Sequence, residues 1–260
     1  MDHLPEDTGM KLEKEYVKST YENIAEDFSS TRYKKWPKVD AFLKSLPPGS
    51  LLLDVGCGNG KYLDNPTTYN IGCDLSLNLL KICKNKGFEV VQCDMTRLPF
   101  RQQVFDSSIC IAALHHVILE KRRLNCIRDI IELLKQQEGS LLIQVWSFEQ
   151  NIGSDNPYLK RNLQDQHEEN KTHNVEIDGD LKLPIHKNRT PFLNQDVLVP
   201  FHAKSKDPNG HTSESDVQLR YYHVFREGEL ECLLGKISNI TMLQSYYDRG
   251  NWCAIVRREN

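Results

Sequence analysis

Three aspartates recur at intervals of twenty residues, and each stands at the end of a short strand-like segment. They are Asp54, Asp74 and Asp94, which accompany the segments 51–55, 69–73 and 89–93. The first segment is apolar on successive residues apart from its acid, which is typical of a parallel strand covered on both faces. Helix-like stretches lie between the segments. The alternation predicts a doubly wound α/β domain built on a mostly parallel sheet.

Apolar periodicity and turn residues predict the other elements. Helices are expected at about 12–28, 37–46, 61–64, 75–86, 120–135 and 228–236, and further strands at 105–111, 140–145, 218–225, 240–246 and 252–257. Asp248-Arg-Gly250 is a plausible hairpin turn between the last two strands. We therefore expect the sheet to end in a hairpin.

A polar stretch at 151–219 divides the chain. It holds eight basic and eleven acidic residues, which accounts for the whole formal charge of −3. Such a composition favours a mobile segment, although 181–184 and 195–201 are apolar enough to dock. We interpret the 260 residues as one domain, interrupted by a mobile insertion at about 151–194.

Several classes of protein do not fit this sequence. There is no run of about 18 apolar residues for a membrane span, and residues 1–15 lack the apolar region of a signal peptide. We expect a cytoplasmic location, with the nucleus as a second one. The eight cysteines form no Cys-x-x-Cys pair, so reduced, mostly buried thiols are expected, with no metal site.

The loop after the first strand is rich in glycine. Gly56, Gly58 and Gly60 alternate with other residues directly after Asp54, and glycines allow a tight turn and close approach of a ligand. Taken alone, the pattern fits a structural turn equally well. Asp74 could accept both ribose hydroxyls of a nucleoside, and Asp94 could accept an adenine amino group beside Met95. An acid at one strand end is often a helix cap, but three in succession favour a ligand site.

This pattern resembles the class I S-adenosylmethionine-dependent methyltransferases, in which Asp54 to Gly60 would be the first motif. The resemblance implies a Rossmann-like, seven-stranded, mostly parallel sheet with an antiparallel terminal strand, and S-adenosylmethionine as cofactor. Its contacts would be Asp54, Gly56, Gly58, Gly60, Asp74, Leu75, Asp94, Met95 and Ile111.

Three segments go beyond this general pattern. Residues 31–38 carry four cations, two aromatic residues and no acid, which fits either a solvated turn or a lid over an anionic substrate. His115 and His116 follow the fourth strand, where at least one is expected in the site. The third segment is Arg220-Tyr-Tyr-His-Val-Phe-Arg226-Glu-Gly-Glu-Leu230, which on its own predicts only a sheet edge and a helix start.

Together, Phe28-Ser-Ser-Thr-Arg-Tyr-Lys-Lys-Trp-Pro37, His115-His116, Trp146-x-x-Glu-Gln150, Asp196-Val-Leu-Val-Pro200 and the segment 220–230 resemble one family. It is the eukaryotic tRNA wobble-uridine carboxymethyl methyltransferases, which include the methyltransferase domain of the vertebrate AlkB homologue eight and its stand-alone relatives. One departure is Phe201, where many relatives have tryptophan.

The resemblance implies methyl transfer to the carboxylate of 5-carboxymethyluridine at the wobble position of tRNA. It also implies a small zinc-binding activator subunit as partner. We assign catalytic roles to Arg32 and His116, which would orient the carboxylate, and substrate binding to Tyr33, Lys35, Trp36, His115 and Arg226. Two alternatives stay open: a methyltransferase for small carboxylic acids, and a cofactor-binding regulator with weak or no activity.

Overall fold

The computed structural model describes residues 1, 3–32, 34–150, 173–178, 181–202 and 217–260. Its α-helices are α1 (Glu6–Glu13), α2 (Thr20–Thr31), α3 (Pro37–Ser45), α4 (Leu77–Asn85), α5 (Glu120–Leu133) and α6 (Glu229–Leu234). A π-helical segment, Lys14–Ser19, joins α1 to α2, and a short 3-10 helix spans Leu114–His116. In the described chain, α1, the π-helical segment and α2 follow one another without a break.

The strands fall into one large sheet and two hairpins. They are β1 (Leu51–Val55), β2 (Tyr69–Asp74), β3 (Glu89–Gln92), β4 (Ser107–Ile111), β5 (Ser140–Trp146), β6 (Asn174–Asp178), β7 (Leu181–Pro184), β8 (Asp196–His202), β9 (Val217–His223), β10 (Ile240–Tyr247) and β11 (Asn251–Arg258). Seven of them form the sheet in the order β10-β11-β5-β4-β1-β2-β3, while β6–β7 and β8–β9 form separate antiparallel pairs.

The direction of the strands defines where a ligand can bind. Strands β1 to β5 are mutually parallel, and β11 alone runs antiparallel to β5. The strand order reverses between β1 and β4, because β2 lies on one side of β1 and β4 on the other. In open α/β sheets, the carboxyl ends of the strands at such a reversal form the ligand crevice.

Both faces of the sheet are covered, as the apolar character of β1 predicts. Leu53 packs with α5 and α6 in one buried cluster, whereas the adjacent Leu52 packs with Val39 and Leu43 of α3 in another. Neighbouring residues of one strand thus enter opposite cores, which is the period-two geometry of a strand. The expected fold class is confirmed.

The N-terminal helices and the two hairpins form a second layer over the carboxyl ends of the strands. Leu12 of α1, Leu183 of β7 and Leu198 of β8 share one buried cluster with Tyr221 of β9. The Thr20 hydroxyl donates to the backbone carbonyl of Leu219 at 2.9 Å. The covering layer therefore combines the start of the chain with segments from its second half.

Some local expectations need correction. The first helical stretch runs from Glu6 to Thr31 rather than from 12 to 28, since Glu6 and Asp7 place acids in the first turn, where the helix dipole favours them. The short helix predicted at 61–64 is a turn instead. Pro66 keeps a helix from continuing beyond this turn, because a proline disfavours helical backbone in the residue before it, here Asn65.

The insertion is described only in part. Residues 151–172 and 179–180 lie outside the described residues, so the predicted mobility there stays a prediction. The segment 181–184, predicted to be able to dock, is β7, and Leu183 is buried. The structure adds β6, which pairs with β7.

Candidate active site

A cleft of about 1370 Å³ opens at the carboxyl ends of the parallel strands. Its floor is formed by the loops after β1, β2, β3 and β4, and its other walls come from α1, α2, β8, β9 and the turn between β10 and β11. The cleft lies at the reversal of strand order, where the fold predicts a ligand. It is large enough for a nucleoside cofactor and part of a substrate.

The glycine loop brings backbone close to this cleft. Gly56 has φ +74°, and a Cβ atom there would lie 2.4 Å from Cβ of Ala113, so no larger residue fits. Gly56 and Gly58 line the cleft. Gly60 has φ +75°, and a Cβ atom on it would lie 2.8 Å from the Phe88 ring. Gly60, predicted to bind cofactor, is not among the residues that line the cleft, so its observed role is to make the turn and pack closely.

Asp54 is a buried carboxyl group at the floor of the cleft. It is 2% exposed, and within the described part of the chain its Oδ2 atom has no hydrogen-bond partner. Burial, helped by the neighbouring charge of Asp74, raises its pKa to about 8. A buried acid in this state is stabilised by a cation. The site therefore fits a positively charged ligand group at Asp54.

Asp74 organises the glycine loop. Its Oδ2 atom accepts a hydrogen bond from the Gly58 N–H and its Oδ1 atom accepts one from the Ser76 N–H, both at 2.9 Å. Burial raises its pKa, whereas these backbone hydrogen bonds lower it. Leu75 lines the cleft beside it. The carboxylate is thus held in place at the cleft, and its predicted role as acceptor of the ribose hydroxyls stays a prediction.

The third predicted acid completes the cofactor side. Asp94 Oδ1 accepts from the Thr96 N–H at 2.8 Å, and Asp94, Met95 and Ile111 all line the cleft. The residues present fit S-adenosylmethionine: an unpaired buried acid for its cationic end, a fixed acid for its ribose, and an acid beside apolar side chains for its adenine.

The cationic segment at 31–38 lies at the mouth of the cleft. The Arg32 guanidinium lies 5.4 Å from the centre of the Phe28 ring. Lys35 forms an ion pair with Asp64, and the Trp36 N–H donates to the Tyr62 hydroxyl at 3.3 Å. Arg32, Lys35 and Trp36 line the cleft, as predicted, whereas Tyr33 lies outside the described residues.

His115 and His116 lie deep in the cleft wall. The Trp146 N–H donates to His115 Nδ1 at 3.3 Å. His116 Nδ1 donates to the Tyr221 carbonyl at 2.8 Å, so its Nε2 accepts from the Tyr21 hydroxyl at 3.0 Å. Burial lowers the pKa of His115 well below its usual value and that of His116 to about 3. Both rings are neutral at physiological pH.

Aromatic rings extend from these histidines toward the opening. Tyr222 stacks on Trp146, with ring centres 4.9 Å apart, and on His116, at 4.8 Å. The Tyr21 ring meets His116 edge to face at 5.1 Å. Trp146, Tyr222 and Tyr21 all line the cleft. This wall offers flat apolar surfaces of the kind on which a nucleobase stacks.

Comparison with known proteins identifies the chain. The Methyltransf_11 model, a methyltransferase domain, matches residues 53–143. A Schizosaccharomyces pombe protein named tRNA (carboxymethyluridine(34)-5-O)-methyltransferase is 36% identical, over 96% of this chain and 99% of the yeast protein. An Arabidopsis thaliana protein of the same name is 33% identical, over 96% of this chain and 82% of the plant protein. The chain belongs to the tRNA (carboxymethyluridine(34)-5-O)-methyltransferase family.

A longer member of this family is also similar. The Xenopus tropicalis protein named tRNA (carboxymethyluridine(34)-5-O)-methyltransferase alkbh8 is 44% identical over 95% of this chain, but the chain spans only 41% of its length. Among solved structures, a S-adenosylmethionine-dependent methyltransferase from Clostridium acetobutylicum superposes with a TM-score of 0.62 at 15% identity, over 93% of this chain and 99% of that one. That likeness confirms the fold.

One predicted residue of this family member lies elsewhere. The Arg226 guanidinium packs 4.4 Å from the centre of the Phe148 ring, and its Nε donates to Gln195 Oε1 at 3.0 Å. Arg226 is not among the residues that line the cleft. Its role in substrate binding stays a prediction, and its observed contacts are structural.

Several cleft residues were missed by reasoning from sequence. They are Tyr21, Lys61, Arg122, Arg189, Arg220, Tyr222 and Arg249. Arg220 and Tyr222 belong to a segment whose resemblance to the family was visible, but no spacing rule placed them in the cleft. In the described part of the chain there is also no cluster of metal-binding side chains, and no helix there is long and apolar enough to cross a membrane.

Proposed function

We propose that this protein transfers a methyl group from S-adenosylmethionine to the carboxylate of 5-carboxymethyluridine 34 in tRNA, giving the methyl ester. The observation that carries the proposal is the match along 96% of this chain and 99% of the yeast relative. The match includes the covering layer as well as the cofactor loop. The part of the molecule that would contact a substrate is therefore shared with a protein named for this activity.

The chemistry fits a site without a charged base. A carboxylate with a pKa near ~4 is ionised at pH 7 and needs no deprotonation. S-adenosylmethionine supplies an electrophilic methyl group on a sulfonium. The oxygen–methyl bond forms as the methyl–sulfur bond breaks, both charges are neutralised, and no proton moves. The task left to the chain is to position the carboxylate in line with that bond. This task needs no charged base, and His115 and His116 are both neutral.

The predicted catalytic residues receive different tasks in this proposal. Arg32 is exposed at the mouth of the cleft, where it can contact the substrate on entry. His116 uses both ring nitrogens within the protein. We assign it the task of holding Tyr21 and Tyr222 in place rather than that of a cation.

The exposed residues around the opening of the cleft, here called its rim, favour the proposal of an RNA substrate. Its exposed cations come from four separate segments: Lys11, Lys14, Lys18, Arg32, Lys34, Arg189 and Arg249. Lys11, Lys14 and Lys18 follow one another at intervals of three and four residues, so they lie on one face of the N-terminal helical stretch. Exposed cations of this kind bind phosphates of the nucleic-acid backbone.

The partner proposed from the family is a small zinc-binding activator subunit. Strand β3 is an edge of the sheet, and apolar side chains near it are exposed: Tyr69 by 71%, Leu77 by 42% and Val91 by 37%. Gln92 of β3 donates to the Leu75 carbonyl at 3.3 Å, which places the start of α4 beside this strand. An exposed edge with apolar neighbours favours association with another chain. A cytoplasmic location, with the nucleus as a second one, is part of the same proposal.

Mass spectrometry of nucleosides tests the activity. tRNA rich in 5-carboxymethyluridine is incubated with S-adenosylmethionine and this chain, with and without the activator, and then digested. We expect the methyl ester nucleoside to accumulate as the carboxylic acid disappears, more rapidly with the activator. A parallel reaction replaces tRNA with small carboxylic acids.

The other outcomes separate the alternatives. Methylation of small acids but not of tRNA would identify a small-molecule enzyme. Cofactor binding without transfer to either substrate, with the activator present, would identify a regulator. Full activity of the chain alone, unchanged by the activator, would contradict the partner proposal while leaving the reaction intact.

A further inference from the structure

His223 is a buried histidine on β9, directly after Tyr222, and it is 5% exposed. Both of its ring nitrogens face carboxylates. Nδ1 lies 2.9 Å from Oδ1 of Asp196, and Nε2 lies 2.6 Å from Oε1 of Glu229. A neutral imidazole has one N–H group, whereas an imidazolium has two. The geometry therefore fits a protonated ring that donates to an acid on each side.

The other hydrogen bonds of the two acids favour their ionised forms. Glu229 Oε2 accepts from the side-chain amide of Gln195 at 2.8 Å and from the Arg226 N–H at 2.9 Å. Asp196 Oδ1 also accepts from the Tyr221 hydroxyl. Donors of this kind stabilise a carboxylate relative to the carboxylic acid. The cluster is thus an imidazolium between two carboxylates, and we call these three side chains the acid–histidine bridge.

The bridge is sensitive to pH. Burial lowers the pKa of His223, but the hydrogen bonds with Asp196 and Glu229 outweigh burial and raise it above its usual value. Burial raises the pKa values of the two acids, but the hydrogen bonds with the ring outweigh it and lower them. Arg123 of α5 also acts on the cluster and lowers the pKa values of His223 and Glu229. The bridge is therefore complete below the usual pKa of histidine and is lost as pH rises through the raised pKa of His223.

The bridge holds the part of β9 that carries Tyr222. Side chains alternate along a strand, so Tyr221 and His223 both reach Asp196, whereas Tyr222 lines the cleft. There the Tyr222 ring stacks on that of His116, with the ring centres 4.8 Å apart. Asp196 thus fixes both chain neighbours of this ring from behind.

Glu229 connects the same strand to the core of the large sheet. It is the first residue of α6, whose Leu230, Leu233 and Leu234 are buried in the cluster that also holds Leu53 of β1. The hairpin β8–β9 belongs to the covering layer, so the bridge joins that layer to the domain that carries the cofactor loops. The relative position of the two determines where a substrate in the covering layer lies against the cofactor.

We propose that His223 is a positioning residue for methyl transfer, whose charged ring holds Tyr222 where the wobble base stacks on it and the carboxylate lies in line with the methyl group. This inference rests on the proposed function and adds to it a residue outside the cleft lining. Loss of the proton leaves one acid of the bridge without its donor. A displacement of about 1 Å at the reacting atoms can cost about 100-fold in rate. We therefore expect kcat to fall at alkaline pH.

Nuclear magnetic resonance measures the charge of the ring directly. In the 15N-labelled full chain, the His223 signals are those that are absent from His223→Gln or, failing that, those that move most in Glu229→Gln. We expect both ring nitrogens to carry protons and to titrate with a midpoint above the ordinary histidine value of ~6.5. A midpoint at or below that value would overturn the proposal without any measurement of activity.

The pH profile of kcat tests the role in the reaction. The substrate is an anticodon stem-loop with 5-carboxymethyluridine at the wobble position, saturating together with S-adenosylmethionine and with the activator present. Formation of S-adenosylhomocysteine is followed from pH 6.5 to 9.5, since hydrolysis of the ester in base does not affect this readout. The wild-type kcat should fall close to the midpoint of the His223 titration. Glu229→Gln removes one acid, so the fall should occur about 1 pH unit lower, while S-adenosylmethionine affinity at pH 7.5 stays within about twofold.

A second buried cation provides the matched control. Arg258 is 3% exposed, and its Nη2 lies 2.8 Å from Oε2 of Glu132. Neither residue lines the cleft. Glu132→Gln is the same substitution in an ion pair that has no contact with β9. It should lower the melting temperature but leave the pH profile of kcat unchanged, which separates positioning from stability.

The outcomes separate this inference from the function on which it rests. The proposal is overturned by a wild-type kcat that stays flat to pH 9.5, by a Glu229→Gln profile that matches the wild type, or by an equal displacement of the profile in Glu132→Gln. In each of these cases the RNA is still methylated and the proposed function stands. A wild-type protein that forms no S-adenosylhomocysteine from the carboxymethyl RNA, with the activator present, would instead overturn the proposed function and this inference with it.

Discussion

The two sides of the cleft are built from opposite chemistry. The cofactor side carries three acids, Asp54, Asp74 and Asp94, at the ends of adjacent parallel strands. The substrate side carries cations and aromatic rings, including Arg220 and Tyr222, from elements that cover the strand ends. The two surfaces are complementary in charge to the cationic cofactor and the anionic substrate of the proposed reaction. This difference would let one cleft bind both reactants and orient them relative to each other.

Replacing Asp74 should give the largest difference between its effects on cofactor binding and on tRNA binding. Asp74→Ala removes the acceptor of the Gly58 and Ser76 amides as well as the proposed acceptor of the ribose hydroxyls. Two charge-assisted hydrogen bonds to a ligand correspond to about 100- to 1000-fold in affinity. We expect S-adenosylmethionine binding, measured by calorimetry, to weaken by that amount while tRNA binding changes little. Asp129→Ala, at an exposed position on α5, is the control; an unchanged cofactor affinity of Asp74→Ala would contradict the ribose assignment.

Removing the lysines of the N-terminal helical stretch should weaken tRNA binding on the substrate side. With Lys11, Lys14 and Lys18 all replaced by Ala, we expect tRNA affinity to fall about 10- to 100-fold at moderate salt. The slope of log affinity against log salt concentration should become shallower by about 2 to 3, since each lost phosphate contact contributes about 0.7 to 0.9.

The control for this variant removes the same charge elsewhere. Lys121, Lys135 and Lys236 are exposed and lie outside the cleft lining. Their joint replacement by Ala should leave the salt slope nearly unchanged. If both triple variants behave alike, tRNA binding depends on net charge and not on the helical face.

The smallest expected effect concerns the protonation of Asp54. Its pKa of about 8 in the ligand-free protein means that it is mostly protonated at pH 6 to 7. A cationic ligand binds the ionised form, so binding should release a proton, and the affinity for S-adenosylmethionine should rise about tenfold from pH 6 to pH 7. Calorimetry in buffers of different ionisation enthalpy measures the released proton. Asp54→Asn should show neither effect, and a wild-type affinity that is flat over this range would contradict the assignment.

The same shift has a defined sign for stability. The pKa of Asp54 is higher in the folded protein than in the unfolded chain. Its contribution to the free energy of unfolding is therefore fully present below about pH 4 and is lost as pH rises toward 8. A bound cation should reverse that loss. The Asp54 carboxylate thus lowers the free energy of unfolding of the protein without ligand, and a bound cation removes this cost.

Most residues that the sequence predicted for cofactor binding line the cleft, because the signals that single them out are local. Each acid directly follows a strand, and parallel strands bring their carboxyl ends to one edge of the sheet. Gly60 was the exception, since alternation of glycines does not reveal which of them approach the cleft and which, like Gly60, pack against Phe88. The fold class and the terminal hairpin followed from the same local reasoning, including the turn at Arg249 and Gly250, which have φ values of +50° and +86°.

The substrate side was predicted less completely. Arg32 and the two histidines were singled out, but their environment was not. Burial keeps His116 neutral, and two internal hydrogen bonds occupy both of its ring nitrogens, which no sequence pattern reports. Arg220 lies two hundred residues from Tyr21, and its position in the cleft depends on how β9 packs against the N-terminal helices. Such contacts are formed by tertiary packing, and no spacing of residues along the sequence predicts them.

The hydrogen bond from Thr20 to Leu219, together with the cluster that joins Leu12 to Tyr221, has a consequence for folding order. Contacts between distant parts of a chain form late, because a long loop must close first. Strands β1 to β4 and their loops lie within sixty-one residues. The substrate side instead joins the N-terminal helices to β9, about two hundred residues later in the chain. During synthesis from the N-terminus, the pocket proposed for the methyl donor would assemble well before the surface proposed to bind RNA.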